Sequence, residues 1–358
     1  MNRSRRQLLK LACGAIPASV GASAPPREYR RGGMVYRPLG KTGMDVSLLS
    51  FGSHTDPADR VRAGNRRTIL NPAGQAKRDR ILAMAFDRGV NLMDVYESEG
   101  QWKPAAQIIK GRREKVLVSL AHEISVKDIE ECCRLFGHID LHRFHTAAID
   151  DAALENWDTL RKAKEAGKIR AIGIATHVER TMIQALTELD GLDFLYFPYN
   201  FIHARADYSE FLPKAVAANV GLIAMKPLAS GSIARLDPRA RRGAAPEFEK
   251  LQLWRSGGGR PILPAAVAEL TKSLDRLEDE TLCMAAMKFV YSKPFVSTAI
   301  AGMFDEQYLL DNCLALERYV EERPETRAAL DAAAAAARLT NGEWLPEEYR
   351  WLEEQWLA

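Results

Sequence analysis

Residues 156–175, NWDTLRKAKEAGKIRAIGIA, decide the fold class because two different periodicities follow each other within them. The first part, as far as Ala166, has the periodicity of a helix, and Gly167 is a residue type that often follows a helix end. Residues 169–175 form a short apolar run with β-branched side chains, which predicts a buried strand. The stretch therefore predicts a helix that leads directly into a strand.

The same alternation of short apolar runs and longer helical segments covers most of the chain. Eight candidate strands lie at residues 46–51, 91–95, 116–120, 139–144, 169–175, 194–199, 222–225 and 296–301. Candidate helices lie between them at residues 77–88, 126–136, 156–166, 178–189, 208–218 and 278–291. Strands that alternate with helices eight times are typical of a closed parallel barrel, so we predict an α/β fold of the (β/α)8 TIM-barrel class.

A doubly wound nucleotide-binding fold would also alternate strands and helices. It would place a Gly-x-Gly-x-x-Gly turn after its first strand, and the sequence has no such turn there. Two irregular segments, residues 54–74 and 231–260, follow the first and the seventh candidate strands. In a barrel both segments would be loops over the catalytic mouth.

Composition and charge limit the classes of partner. The chain has 358 residues, of which 47% are hydrophobic and 27% charged, as is typical of a soluble globular protein. Its formal net charge of +3 is too small to indicate a nucleic-acid partner. The five cysteines show no Cys-x-x-Cys spacing, which argues against zinc ribbons and iron–sulfur clusters. We therefore expect a small-molecule ligand.

The first 24 residues predict an export signal of the twin-arginine kind. A basic head with Arg5 and Arg6 precedes a short apolar run, and residues 22–24, Ala-Ser-Ala, are typical of a cleavage site. The apolar run is too short to anchor the protein in a bilayer. We therefore expect recognition by the twin-arginine export machinery, a periplasmic or otherwise exported location and no membrane anchor. The alternative is a disordered basic tail.

Residues 138–145, HIDLHRFH, raise the question of a metal site because they include three histidines and an aspartate. Alternate residues of an extended chain share a face. One face has His138, Asp140 and His142, and the other has Ile139, Leu141, Arg143 and His145. This alternation separates His145 from the other two histidines, so we predict no metal site on this strand.

Seven blocks of sequence resemble the aldo-keto reductase family. They are VYRPLGKTGMDVSLLSFGS (35–53), FDRGVNLMD (86–94), HIDLHRFH (138–145), LRKAKEAGKIRAIGIATH (160–177), FPYN (197–200), MKPLASG (225–231) and STAIAGMFDEQYLLDN (297–312). The resemblance implies a TIM barrel opened by a β-hairpin, with NADP, or in some members NAD, as the cofactor. With the predicted signal at 1–24, we expect a linker (25–33), a barrel (34–325) and a helical extension packed on the barrel (326–358).

The resemblance also implies a catalytic tetrad of aspartate, tyrosine, lysine and histidine. Asp94 and His145 stand at the family's aspartate and histidine positions, but Ala121 stands where the family has lysine, with His122 next to it. Glu99 stands at the tyrosine position. Tyr96 could substitute as the proton donor, or Glu99 could act as an acid if burial raised its pKa.

For the cofactor, the resemblance implies contacts at the ends of the later strands. The candidates are Thr176, Tyr196, Lys226, Ser230, Gly231, Gln307 and Asn312. We therefore expect an exported oxidoreductase that uses NADP(H) and acts on a carbonyl or alcohol substrate. Because the lysine is absent, the alternative is a barrel that has lost catalysis and serves as an exported binding or assembly protein.

Overall fold

The computed structural model describes residues 28–64, 67–122, 124–231, 233, 265–274, 276–320, 322–340, 343 and 347–358. The predicted signal at 1–24 and most of the second irregular segment, 231–260, lie outside these residues. Among the described residues, no helix is both long and apolar enough to cross a membrane.

Eight parallel strands close into a barrel, as the sequence predicts. In chain order they are β4 (Leu49–Phe51), β7 (Leu92–Val95), β8 (Leu117–Ala121), β9 (Ile139–His145), β10 (Ile169–Ala175), β11 (Phe194–Pro198), β12 (Gly221–Met225) and β13 (Thr298–Ala301). Each pairs with the next, and β13 pairs with β4 to complete the ring. The fold is therefore a (β/α)8 TIM barrel.

The first candidate strand, 46–51, is two strands in the structure. Asp45–Ser47 is β3, which pairs antiparallel with β2 (Met34–Pro38), and β2 in turn pairs with β1 (Tyr29–Arg31). The Asn91 side chain accepts a hydrogen bond from the Ser47 amide at 2.7 Å and donates one to the Asp45 carbonyl at 2.9 Å. These bonds hold β3 outside the barrel, so that only β4 enters the ring.

Helices surround the barrel. They are α1 (Pro72–Asp87), α2 (Trp102–Ile108), α3 (Val126–Phe136), α4 (Asp151–Glu165), α5 (Glu179–Glu188), α6 (Phe211–Ala217), α7 (Ala265–Ser273), α8 (Leu282–Tyr291), α9 (Glu306–Glu317), α10 (Pro324–Thr340) and α11 (Glu347–Leu357). The first irregular segment, 54–74, includes a two-stranded antiparallel sheet of β5 (Arg60–Arg62) and β6 (Thr68–Leu70).

The two ends of the barrel differ. At the amino-terminal end, apolar residues of the opening hairpin, Leu39, Met44 and Val46, pack in one buried cluster with Leu92 and other barrel residues. At the carboxyl-terminal end, called the mouth below, the strands lead into polar loops. Helix α11 lies against these loops, since the Glu353 carboxylate contacts His203 and Arg205 in the loop after β11. The hairpin residues therefore close the amino-terminal end of the barrel, so a ligand site is expected at the mouth.

Candidate active site

A buried ion pair lies at the base of the mouth. Asp94 near the end of β7 accepts two hydrogen bonds from the Arg143 guanidinium of β9, at 2.6 and 2.7 Å. Both residues are at most 3% exposed. Burial alone would lower the pKa of Arg143, but the Asp94 carboxylate outweighs burial and raises it. The two short hydrogen bonds therefore fix the geometry of the pair.

Strand register explains why Arg143 occupies this place. Its strand partner across the β8–β9 ladder is Ala121, whose side chain is a single methyl group. The guanidinium also donates to Ser119 Oγ at 2.9 Å, and its central carbon lies 3.8 Å from the centre of the Tyr196 ring. A positive charge thus lies opposite the position of the absent family lysine, on the neighbouring strand.

The sequence analysis assigned no role to Arg143. The signal that could have identified it is the spacing of two residues from His145, which puts both on the inward face of β9. A small residue at Ala121 on the adjacent strand was the second signal, because it leaves space for a long side chain.

Tyr96 follows directly after β7 and lies above the ion pair. Its hydroxyl is 3.4 Å from Arg143 Nη2 and also hydrogen-bonds the Ser53 side chain. The edges of two imidazoles contact its ring, with centroid distances of 5.2 Å to His54 and 5.3 Å to His122. Burial raises the pKa of Tyr96, and the positive charge of Arg143 only partly opposes this. Tyr96 is therefore a protonated phenol at neutral pH.

His145 ends β9 and is exposed to solvent in the mouth. Its ring lies 5.1 Å from that of His177, in the loop after β10. Partial burial among these neighbours, together with the charges of Lys226 and Arg143, lowers the pKa of His145 to about 4. The imidazole is therefore neutral near pH 7 and can hydrogen-bond a ligand without adding charge.

The structure contradicts the suggestion that Glu99 is an acid. Its carboxylate accepts hydrogen bonds from the Thr55 amide at 2.6 Å and from Arg60 at 3.1 Å, and it pairs with His54 Nδ1 at 2.8 Å. Burial acts to raise the pKa of Glu99, but these partners lower it. Glu99 is ionised, and it holds the loop after β4 in place.

Lys226 begins the loop after β12. Burial alone lowers the pKa of its ammonium group to about 8, and Nζ lies 5.1 Å from the centre of the Trp351 ring of α11. The backbone is left-handed at Lys226, Ala229 and Ser230, with φ of 56°, 48° and 56°, and Gly231 continues it at 89°. Such conformations are strained for residues other than glycine and cluster at functional sites.

The other residues predicted to contact a cofactor are Thr176, Tyr196, Gln307 and Asn312, and each has different hydrogen-bond partners or burial. Thr176 is buried, and its hydroxyl accepts a hydrogen bond from the Val178 amide at 3.2 Å. Tyr196 is 1% exposed and forms the floor beneath Arg143, with its hydroxyl 2.9 Å from Ser119 Oγ. On α9, Gln307 donates to Asp311 at 2.8 Å and Asn312 is buried. Their contacts with a cofactor stay predictions.

The C-terminal helix forms one wall of the mouth. Trp351 lies 6.0 Å from the His177 ring, and Trp356 donates a hydrogen bond to Glu179 at 2.7 Å. The buried Glu353 carboxylate binds His203 and Arg205, each at 3.0 Å. The structure therefore brings Asp94, Tyr96, His145 and Lys226 to one mouth and adds three further groups, which are Arg143, His177 and Trp351.

Comparison with known proteins gives consistent results. The model of the aldo/keto reductase family matches residues 64–332. A protein of Arabidopsis thaliana described as "Probable voltage-gated potassium channel subunit beta" is 25% identical over 316 residues, which are 79% of this chain and 92% of that protein.

Solved structures of an aldo-keto reductase from Bacillus halodurans share the fold. The apo and holo forms have TM-scores of 0.60 and 0.62 at 20% identity, and each comparison covers 88% of this chain and 99% of that one. At 20% identity, the solved structures support the barrel fold alone. The family model matches most of the sequence and supports membership of the family. The chain belongs to the aldo/keto reductase family.

Proposed function

We propose that the protein is a nicotinamide-dependent oxidoreductase that reduces a carbonyl group to an alcohol, or catalyses the reverse reaction. The observation that carries the proposal is the Asp94–Arg143 pair beneath Tyr96, with His145 beside it. This arrangement retains a carboxylate, a cation, a phenol and an imidazole at the mouth, although the family lysine is absent.

The mouth fits the reduced nicotinamide dinucleotide that the family generally uses. Ser230 and Gly231 could bind its diphosphate through a hydroxyl and backbone amides. When bound, the cofactor supplies the hydride. Among the described residues, no group of three or more histidine, cysteine or acidic side chains could hold a metal ion.

The region after β13 favours NADH over NADPH. Phe304 is buried there, and the Asp305 side chain already accepts a hydrogen bond from the Gln307 amide at the start of α9. Glu306 follows, and its carboxylate is paired with Arg80 at 3.1 Å. In the family the 2′-phosphate of NADP would lie in this region, where it would meet the Asp305 carboxylate.

Four side chains of the mouth have separate roles in the proposed proton transfer. The Tyr96 hydroxyl donates its proton to the carbonyl oxygen as that oxygen becomes an alkoxide. Arg143 stabilises the phenolate that remains, and Asp94 fixes the orientation of Arg143. The neutral His145 holds the carbonyl oxygen by a hydrogen bond. Because burial raises the pKa of Tyr96, we expect proton donation to be slower than it would be with a lysine next to the phenol.

The raised pKa of Tyr96 also supports a second candidate, a binding or assembly protein that has lost catalysis. The Arabidopsis relative, whose description is that of a channel subunit, makes an assembly role relevant to this fold.

The two candidates are distinguished by an assay of the purified protein with aromatic aldehydes and either NADH or NADPH. The reductase predicts loss of reduced cofactor with NADH, a lower rate with NADPH, and a loss of at least about tenfold in Tyr96→Phe. Tight cofactor binding without turnover of any aldehyde would instead favour the binding protein.

We also propose that the protein is exported by the twin-arginine machinery. The support is the sequence of residues 1–24, with its adjacent Arg5 and Arg6. Export of a folded protein would allow the cofactor to be bound before translocation, and it would place the reaction outside the cytoplasm.

A further inference from the structure

Lys226 is a cation at the mouth that has no carboxylate partner among the described residues. Asp94 is neutralised by Arg143, and Glu99 is neutralised by Arg60. Lys226 remains, and among the described residues no carboxylate lies within 4.0 Å of its ammonium group. The cause of its lowered pKa is burial alone, without a contribution from any acidic side chain. Among the described residues, the ammonium group of Lys226 therefore has no carboxylate to neutralise it.

Elsewhere the fold gives its buried lysines a carboxylate partner. Lys288 is 2.6 Å from Glu280, and Lys293 is 2.6 Å from Glu322 and 3.2 Å from Asp207. An unpaired buried cation lowers stability considerably, which explains this pairing. Lys226 is part-buried and has no such partner among the described residues, and its left-handed backbone adds strain at the same residue.

The groups next to Lys226 leave its charge available to a ligand. His177 and His145 have pKa values lowered to about 3 and about 4, so both rings are neutral near pH 7. The Trp351 ring stabilises a cation but does not neutralise it. A ligand with a negative charge would complete the site.

We infer that Lys226 binds the carboxylate of a substrate, so that the substrate class is carbonyl compounds that also carry a carboxylate group. The inference rests on the proposed function for the carbonyl part. Lys226, Trp351, His177 and His145 form a continuous row, with successive separations of 5.1, 6.0 and 5.1 Å. One compact molecule can therefore place a carboxylate at Lys226 and its carbonyl near His145 and Tyr96.

A phosphate of the cofactor offers the same anionic chemistry as a carboxylate, and the two sources must be separated. The aromatic rings favour the substrate, because successive contacts through Trp351 and His177 join Lys226 to His145. Ser230 and Gly231, farther along the loop, remain for the diphosphate.

The first experiment measures binding of benzoate and benzamide to the full chain without cofactor, by isothermal titration calorimetry. The two probes have similar shape and differ in charge. We expect benzoate to bind at least tenfold more tightly than benzamide. Equal binding of the two probes by the native protein would overturn the inference.

Variants then identify the residue that binds the charge. Lys226→Met should remove the preference for benzoate, Lys226→Arg should retain it, and Lys214→Met, at an exposed lysine paired with Glu210, should leave it unchanged. Thermal unfolding of each variant verifies that it is folded. If Lys226→Met weakens NADH binding tenfold but leaves benzoate binding unchanged, the charge serves the cofactor and the inference is wrong.

A kinetic comparison of 4-carboxybenzaldehyde with benzaldehyde completes the test. We expect a kcat/KM at least tenfold higher for the charged aldehyde, and loss of this preference in Lys226→Met. If neither aldehyde is reduced while the benzoate preference persists, the proposed reductase function fails and the carboxylate site stands.

Discussion

At the scale of single residues, the distinctive feature is Arg143, a buried arginine opposite Ala121, the position at which the family has lysine. A guanidinium is planar and cannot lose its proton in a protein, so Arg143 binds both oxygens of Asp94 and stays charged. Its contact with the Tyr96 hydroxyl is long, at 3.4 Å. The cation therefore serves the aspartate more closely than the phenol, which explains why burial still raises the pKa of Tyr96.

The Asp94–Arg143 pair should be strongly coupled in stability. Asp94→Asn or Arg143→Met alone leaves one buried charge without its partner, and each should lower the free energy of unfolding by about 3–5 kcal/mol. The double variant should lose much less than the sum of the two. Urea denaturation measures these values. The exposed pair of Arg161 and Asp158 is the control, with an expected coupling below about 1 kcal/mol. Additive losses at Asp94 and Arg143 would refute the coupling.

The neutral histidines of the mouth predict how stability depends on pH. The folded state lowers the pKa of His145 to about 4 and that of His177 to about 3. In the unfolded chain the pKa of both histidines is about 6.5. As the pH falls below about 6.5 the unfolded state binds more protons, so stability should decrease. The urea midpoint should fall less between about pH 7 and about pH 4.5 in the double variant His145→Gln/His177→Gln than in the native protein. An equal difference in both proteins would count against neutral rings in the mouth.

At the scale of elements, periodicity in the sequence was sufficient to predict all eight barrel strands. Periodicity did not show that residues 46–51 belong to two strands. The Asn91 side chain, far away in sequence, separates β3 from β4 there. Periodicity also could not place α11, because the contacts that seat this helix on the mouth join residues about 150 positions apart, such as His203 and Glu353. Local patterns identify elements, and long-range polar contacts decide where they lie.

The seat of α11 depends on one buried carboxylate. Glu353→Gln should weaken the contacts with His203 and Arg205 and increase hydrogen exchange throughout residues 347–357, with little change in the barrel strands. The neighbouring Glu354 is exposed, so Glu354→Gln is the matched control. Hydrogen exchange with mass spectrometry measures both variants. Unchanged protection of α11 in Glu353→Gln would mean that apolar contacts alone hold the helix.

At the scale of the whole molecule, the barrel converts sequence positions into a site. Asp94, Tyr96 and His145 are far apart in the chain, yet they meet because each lies at the carboxyl end of a strand in the ring. The sequence therefore sufficed to find residues that the fold brings to one mouth. It did not reveal that Arg143 pairs with Asp94, because that contact depends on the register of adjacent strands.

The export signal gives a prediction for the whole chain. Replacing Arg5 and Arg6 together by lysine should keep the full-length protein in the cytoplasm, because the twin-arginine machinery distinguishes the two residue types. Fractionation of expressing cells, followed by immunoblotting, measures the distribution. The same double substitution at Arg30 and Arg31, in β1, is a control that keeps the charge outside the signal. Export of the Arg5/Arg6 variant at the native level would contradict the signal.

In the proposed function, this barrel reduces carbonyl groups with Arg143 as the cation of the site. The most direct measurement is transfer of deuterium from 4-deuterated NADH to 4-carboxybenzaldehyde, followed by mass spectrometry of the alcohol. We predict one deuterium on the carbinol carbon with the native protein, and a rate at least about a hundredfold lower in Arg143→Met. A native protein that binds NADH but forms no deuterated alcohol, or an Arg143→Met variant that forms it at the native rate, would contradict the account.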